Sequence, residues 1–200
     1  MRKILLLIAI ATLIAACRKH EAPRTATTAT TATTPSDRSA PAPLTPSTAT
    51  ETKVGEAMPA YKAELLDGKP FDIAAERGNV VFLNLWATWC GPCRFEIPEL
   101  QKLHNQYASQ GLRVVGVSLD ESGKDAVQQF VTEHSMTYPI ALDPDGKLAN
   151  VFQTTVIPTS ALIDRNGKIV WKKYGAITVD DELKQALDKA LAQKPARPAA

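Results

Sequence analysis

The apolar positions of the chain fall into three regimes. Ile4 to Ile14 is an apolar run broken only by Thr12; Glu21 to Thr52 contains one large apolar side chain, Leu44; the periodic patterns of a folded domain begin near Lys53 and end near Gln193. Within that domain, Tyr61 to Leu66 and Pro70 to Ile73 flank the turn signal Asp67-Gly68-Lys69 and predict a hairpin. Val80-Val81-Phe82-Leu83-Asn84-Leu85 is almost continuously apolar, the pattern of a central parallel strand covered on both faces. A helix is expected from Pro92 to Gln110 and a strand over Leu112 to Ser118. Ser122-Gly123-Lys124-Asp125 reads as a capping box for a second helix with the stripe Ala126, Val127, Phe130 and Val131. Tyr138 to Phe152 reads as a loop or short helix. Thr159 to Asp164 and Lys168 to Tyr174 form a hairpin around Arg165-Asn166-Gly167. A last helix, capped near Thr178 and Asp181, puts Leu183, Ala186, Leu187, Ala190 and Leu191 on one face. The order is βαβ then ββα, an α/β domain with extra strands in front and extra residues in the middle.

Composition limits what surrounds this domain. Two hundred residues with 22% charged and 6% aromatic content leave room for one ordinary domain plus attachments. A net charge of +2 from 23 basic and 21 acidic residues implies no broad cationic face for nucleic acid. Even that excess is local, since Arg2 and Lys3 precede the first apolar run and removing residues 1–16 leaves 21 of each sign. A short basic segment and an apolar run too short to span a bilayer comfortably read as a secretory signal. The run ends in Ile14-Ala15-Ala16-Cys17, which resembles the lipobox of bacterial lipoproteins. The resemblance implies that residues 1–16 are a signal peptide and that Cys17 is the lipidated new N-terminus, anchored in a membrane by several acyl chains. A plain secreted protein with a chance cysteine is the competing reading. From Glu21 to Thr52, 26 of 32 positions are Thr, Ala, Pro or Ser, which cannot bury a core. Residues 17–52 are therefore expected to form a disordered tether with a reach of roughly 30 Å or more. Residues 53–193 form the folded domain, and 194–200 a disordered tail.

The candidate chemistry lies between the buried strand and the first helix, at Trp86-Ala87-Thr88-Trp89-Cys90-Gly91-Pro92-Cys93. Two residues between cysteines permit a disulfide across one turn. At a helix start the unpaired backbone N–H groups and the macrodipole favour a thiolate on Cys90, the expected exposed nucleophile. Gly91 lets another chain approach closely, and Pro92 suits a first turn that has no use for its N–H. Cys93, one turn in and shielded, is placed to attack a mixed disulfide on Cys90 and release a reduced substrate. Half of a zinc site and a purely structural disulfide are the alternatives. Zinc needs two further ligands, whereas His20, His104 and His134 are scattered, so no metal and no cofactor are expected.

The segment Asn84-Leu85-Trp86-Ala87-Thr88-Trp89-Cys90-Gly91-Pro92-Cys93-Arg94-Phe95-Glu96-Ile97-Pro98 resembles the thioredoxin superfamily, and within it the TlpA/ResA-like branch of membrane-tethered bacterial thiol-disulfide oxidoreductases. The resemblance implies a thioredoxin fold, a central mixed sheet flanked by helices, with an N-terminal hairpin extension and a central insert. It implies that Pro158, in Thr155-Val156-Ile157-Pro158-Thr159, is a cis-proline lying against the cysteine pair and leaving Ile157 free to pair with an extended substrate. Glu96 falls in the helical arc of Cys93, Ile97, Leu100, Leu103 and Tyr107, where desolvation raises a carboxyl pKa; it also matches the family's glutamate, the proton carrier for the second cysteine. Thioredoxins proper carry a buried acid on the preceding strand where this chain has Asn84. Trp86 and Trp89 are expected to pack beside the disulfide and Arg94 to be a solvated charge.

The Gly-Pro pair resembles reducing thioredoxins, with potentials near about −270 mV against roughly −120 mV for a strong oxidant. The expectation is a monomeric reductant of disulfides in cell-envelope proteins, candidate substrates being apocytochrome c or a metal-centre assembly factor, re-reduced by a membrane thiol carrier of the DsbD/CcdA type. A disulfide oxidase or isomerase, a thiol peroxidase and a copper-delivery protein are the competing classes.

Overall fold

The computed structural model describes residues 52–194; the expected signal peptide, Cys17, nearly all of the expected tether and residues 195–200 lie outside them. β1 (Lys62–Leu65) and β2 (Pro70–Asp72) form the leading antiparallel hairpin. β3 (Val80–Trp86) is buried at every position, as its unbroken apolar pattern requires. α1 (Gly91–Tyr107) follows, then a 3₁₀ turn over Ala108–Gln110, and β4 (Leu112–Ser118) returns beside β3. The remaining elements are α2 (Lys124–Glu133), β5 (Ile140–Leu142), α3 (Lys147–Phe152), β6 (Thr159–Ile163), β7 (Ile169–Tyr174) and α4 (Asp181–Ala192).

The seven strands make one mixed sheet in the order β2-β1-β5-β4-β3-β6-β7. β3 is central, parallel to β4 and antiparallel to β6. One face is covered by α1, α2 and α4 through Ile97, Leu100, Val127, Phe130, Leu183 and Leu187. The other carries Tyr61, Phe71, Leu148 and Phe152, contributed by the hairpin region and α3. This two-sided cover holds the C-terminal end of β3 rigid where the cysteine motif begins.

Three local expectations change. The segment Tyr138 to Phe152 contains a strand as well as a helix: β5 pairs parallel with β4 and antiparallel with β1, welding the hairpin to the sheet. Three residues are too few to show a period, so neighbouring strands create this one. The capping box at Ser122 does not form; Gly123 is the N-cap, at φ 93°, without a side-chain bond. α4 is capped by Asp180, whose carboxylate accepts from Leu183 N at 3.0 Å, in place of Thr178 or Asp181.

Gly116, on the helical face of β4, has no room for a side chain. A Cβ there would lie 2.9 Å from Trp86 Nε1 and 3.0 Å from Ile140 Cδ1. Gly116→Ala is expected to cost about 1–3 kcal/mol by overpacking, read from a urea midpoint, and to displace the Trp86 indole, read from its fluorescence.

Candidate active site

Cys90 is the N-cap of α1, in extended conformation at φ −81° and ψ 102°, and its Sγ accepts from Cys93 N at 3.2 Å. Gly91 and Pro92 make the first turn, which leaves no use for the missing proline N–H. Cys90 and Cys93 are joined as a disulfide with Cα atoms 5.4 Å apart. Both sulfurs lie at the positive end of the helix dipole, where a thiolate is favoured on reduction. The expected contrast between an exposed Cys90 and a shielded Cys93 is much smaller than anticipated: their exposures are 4% and 1%. The cap conformation turns Cys90 Sγ inward over the first turn, towards the Cys93 amide.

Glu96, one turn beyond Cys93 on the same buried face, is 1% exposed. Asn84 Nδ2 donates to its Oε1 at 2.7 Å and the Ile177 backbone N–H to its Oε2 at 2.8 Å. Burial pushes the Glu96 carboxyl up to about 7, against the opposing pull of the Ile177 and Asn84 bonds. A carboxyl so poised gives and takes protons near neutrality. Asn84, which also donates to Ser160 Oγ at 3.0 Å, stands where thioredoxins proper carry an acid, and its pairing with Glu96 is the part that the sequence reading does not supply. Its signal was present as the one polar residue in an otherwise apolar buried strand.

The Ile157–Pro158 peptide is cis. Pro158 O accepts from Gly175 N at 2.8 Å, and Thr159 Oγ1 donates to Val156 O at 2.6 Å, fixing the loop at the mouth of β6. On the opposite side, three groups of Thr88 are held by two partners. Its N–H and hydroxyl donate to Asp120, which Ser118 Oγ also reaches at 2.7 Å, and its carbonyl accepts from Arg94 at 2.9 Å. Arg94 also lies 5.4 Å over the Phe130 ring, so this solvent-facing cation is a strap between α1, the motif loop and α2. Asp120, 5% exposed, was missed by sequence reading because it stands 30 positions from Cys90, in a loop without a motif. Trp86 is buried at 2% as expected, but Trp89 stands 69% exposed beside Cys90 and packs on no core. Among the described residues no three His, Cys, Asp or Glu side chains gather as metal ligands.

The Redoxin family profile matches residues 53–189 of the chain, nearly the whole described domain. The chain belongs to the redoxin family. Within it, this redoxin is 32% identical over 143 residues to the thiol-disulfide oxidoreductase ResA of Bacillus cereus (strain ATCC 10987 / NRS 248), a match spanning 72% of this chain and 82% of ResA. A Chlorobium tepidum protein assigned as a thiol:disulfide interchange protein DsbE superposes with a TM-score of 0.66 at 31% identity, over 71% of this chain and 100% of the other. A secreted thiol-disulfide isomerase from Corynebacterium glutamicum does so with a TM-score of 0.58 at 30% identity, over 67% and 83%. This redoxin is thus a TlpA/ResA-like thiol-disulfide oxidoreductase with a thioredoxin-like fold, as the motif implied.

Proposed function

We propose that this redoxin is a membrane-tethered reductant of disulfides in cell-envelope proteins, with Cys90 as nucleophile, Cys93 as resolving thiol and Glu96 as proton carrier. The observation that carries the reading is the buried Glu96 carboxyl, poised near pH 7 one turn beyond a Cys-Gly-Pro-Cys pair at a helix N-terminus. In the reduced protein the Cys90 thiolate attacks a substrate disulfide, forming a mixed disulfide and expelling one substrate sulfur. Glu96 accepts the Cys93 proton; the resulting thiolate attacks Cys90 Sγ, and the second substrate sulfur leaves. The enzyme ends as the Cys90–Cys93 disulfide. Regeneration takes two electrons from a membrane thiol carrier, for which a DsbD/CcdA-like protein is the candidate. Pro158 and Ile157 present the extended backbone against which a substrate segment aligns.

The lipobox-like Ile14-Ala15-Ala16-Cys17 and the Thr/Ala/Pro/Ser stretch to residue 52 support an envelope location on a lipid tether. Among the described residues no helix is long and apolar enough to cross a membrane. Apocytochrome c and a metal-centre assembly factor are candidate substrates. Isomerase activity is the second reading, favoured by the secreted relative's name.

Cys93→Ala is expected to accumulate a mixed disulfide on Cys90 in envelope extracts, identifying the substrate by mass; no adduct from extracts that the parent reduces overturns the assignment of resolving thiol. A reduction potential near about −270 mV is expected, and one above about −150 mV makes the protein an oxidase or isomerase.

A further inference from the structure

Glu96 is held at both oxygens by amide N–H groups, from Asn84 and Ile177, and these donors do not relay protons. It is buried, and a docked substrate covers the mouth through which Cys90 is reached. A proton taken from Cys93 therefore needs a second way out. Tyr138, whose hydroxyl feels the Glu96 charge, belongs to a group of buried polar atoms with no hydrogen-bond partner.

Asn84 stands opposite Gly116 in the parallel β3–β4 ladder, about 4.8 Å away across the sheet, with both on the α1 face. The space that a Gly116 side chain would fill is occupied by two rings and the end of Ile140: the Cβ position is 2.9 Å from Trp86 Nε1, 3.0 Å from Ile140 Cδ1 and 3.2 Å from Tyr138 Cε2. Tyr138 is 3% exposed, and neither its hydroxyl nor Trp86 Nε1 has a partner. The Tyr138 ring meets His104 edge-on, with centroids 6.2 Å apart. His104 lies on α1 eight residues beyond Glu96, about 12 Å along the axis, and is only partly buried. Its Nδ1 is the third unpartnered atom.

The geometry points to a proton exit running from Glu96 through the Tyr138 hydroxyl to His104 and solvent, its gaps bridged by single waters that bond to Tyr138 Oη, Trp86 Nε1 and His104 Nδ1. It rests on Glu96 being the proton carrier. Buried waters of this kind need two to four polar partners. One proton leaves Cys93 Sγ for Glu96. The Glu96 proton passes to a Tyr138 Oη lone pair as the phenol releases its own towards His104, and the imidazole accepts on one nitrogen and releases from the other. No electrons move along the path, and every relay group ends in the protonation state in which it began. Both relay groups are biased towards their uncharged forms, as this requires. Burial and the Glu96 charge hold the Tyr138 hydroxyl protonated, and burial with the nearby Arg113 charge pulls His104 below its usual value.

The test follows closure of the mixed disulfide in single turnovers of the full chain. Tyr138→Phe keeps the ring and removes the oxygen; His104→Ala removes the outlet. Each is expected to slow closure roughly tenfold, a modest share of what a positioned proton-transfer group contributes, and to change the solvent deuterium isotope effect. Free imidazole is expected to restore His104→Ala and not Tyr138→Phe. Parent-like rates and isotope effects in both variants overturn the exit, and so does a slow His104→Ala that keeps the parent isotope effect and ignores imidazole. Glu96→Gln run alongside separates the two failures. If it is slow while the other two are fast, the exit alone is wrong; if it is as fast as the parent, the proton-carrier reading fails and the exit with it.

Discussion

Glu96→Gln is expected to slow disulfide reduction by about 10²-fold, within the range for a lost general acid–base, and to remove a pH dependence from folding stability. The second effect follows from the carboxyl's shift from 4.5 to about 7 in the folded protein. The native state holds that proton more tightly than the unfolded chain does. The contribution is therefore complete below the unfolded value of 4.5 and is lost as pH rises through about 7. A shift of this size amounts to something on the order of 3 kcal/mol. His104 works in the opposite sense, because a histidine pKa lowered by folding adds stability as pH rises through the unfolded value. The difference between parent and variant isolates Glu96. Urea midpoints between pH 5 and 8 should converge or cross, with the parent declining relative to Glu96→Gln as pH rises. The glutamine has one acceptor for two donors, Asn84 and Ile177, so a pH-independent loss of about 1–3 kcal/mol accompanies the change. Parallel curves would show that Glu96 titrates alike in both states.

The Glu96 result also shows where sequence reading reaches and where it stops. Helical periodicity is local, and it placed Glu96 in the arc of Cys93, Ile97, Leu100 and Leu103, all of which are buried in the structure. What holds the carboxyl is not local. Asn84 is 12 positions away and Ile177 is 81, and only the folded sheet and the loop before α4 bring them together. The same division runs through the fold. β3 and β4 are long enough to declare themselves and begin and end within a residue of their expected limits. β5 exists because β4 and β1 offer ladders on both its sides, information that Ile140-Ala141-Leu142 does not contain. Capping went astray at Ser122 because a capping box and a glycine cap share the same letters, and the left-handed φ of Gly123 decides between them. Exposure was misjudged at Cys90 and Trp89 for one reason: a motif orders residues along the chain but not their directions. The cap turns Cys90 Sγ inward, while Trp89 stands out in solvent.

Asp120→Ala is expected to have the largest effect of any substitution outside the cysteines and Glu96, on both stability and rate. Its carboxylate accepts from Thr88 N at 3.0 Å, from the Thr88 hydroxyl and from Ser118 Oγ at 2.7 Å, and these are the bonds that fix the loop between buried Trp86 and the Cys90 cap. Removing it leaves the Thr88 and Ser118 donors without their charged acceptor, at a cost of about 1.5–3 kcal/mol for such a bond. Arg94 still grips the Thr88 carbonyl, so the loop stays attached to α1 but loses its tie to the end of β4. The loop that leads into the Cys90 cap, two residues on, then keeps the Arg94 tie and loses the Asp120 one. A displacement of about 1 Å at a reacting centre costs on the order of 10²-fold in rate. Asp120→Asn keeps the size and one acceptor oxygen and should recover part of both losses. Thr88→Val, which keeps the backbone N–H bond and loses the hydroxyl, should lose less than Asp120→Ala. Thermal midpoints and second-order rates with a small disulfide give the ranking, parent above Asp120→Asn above Asp120→Ala. A parent-like rate in Asp120→Ala, despite a lowered midpoint, would mean that the helix N-terminus alone sets the Cys90 geometry and that the Asp120–Thr88 tie serves stability only.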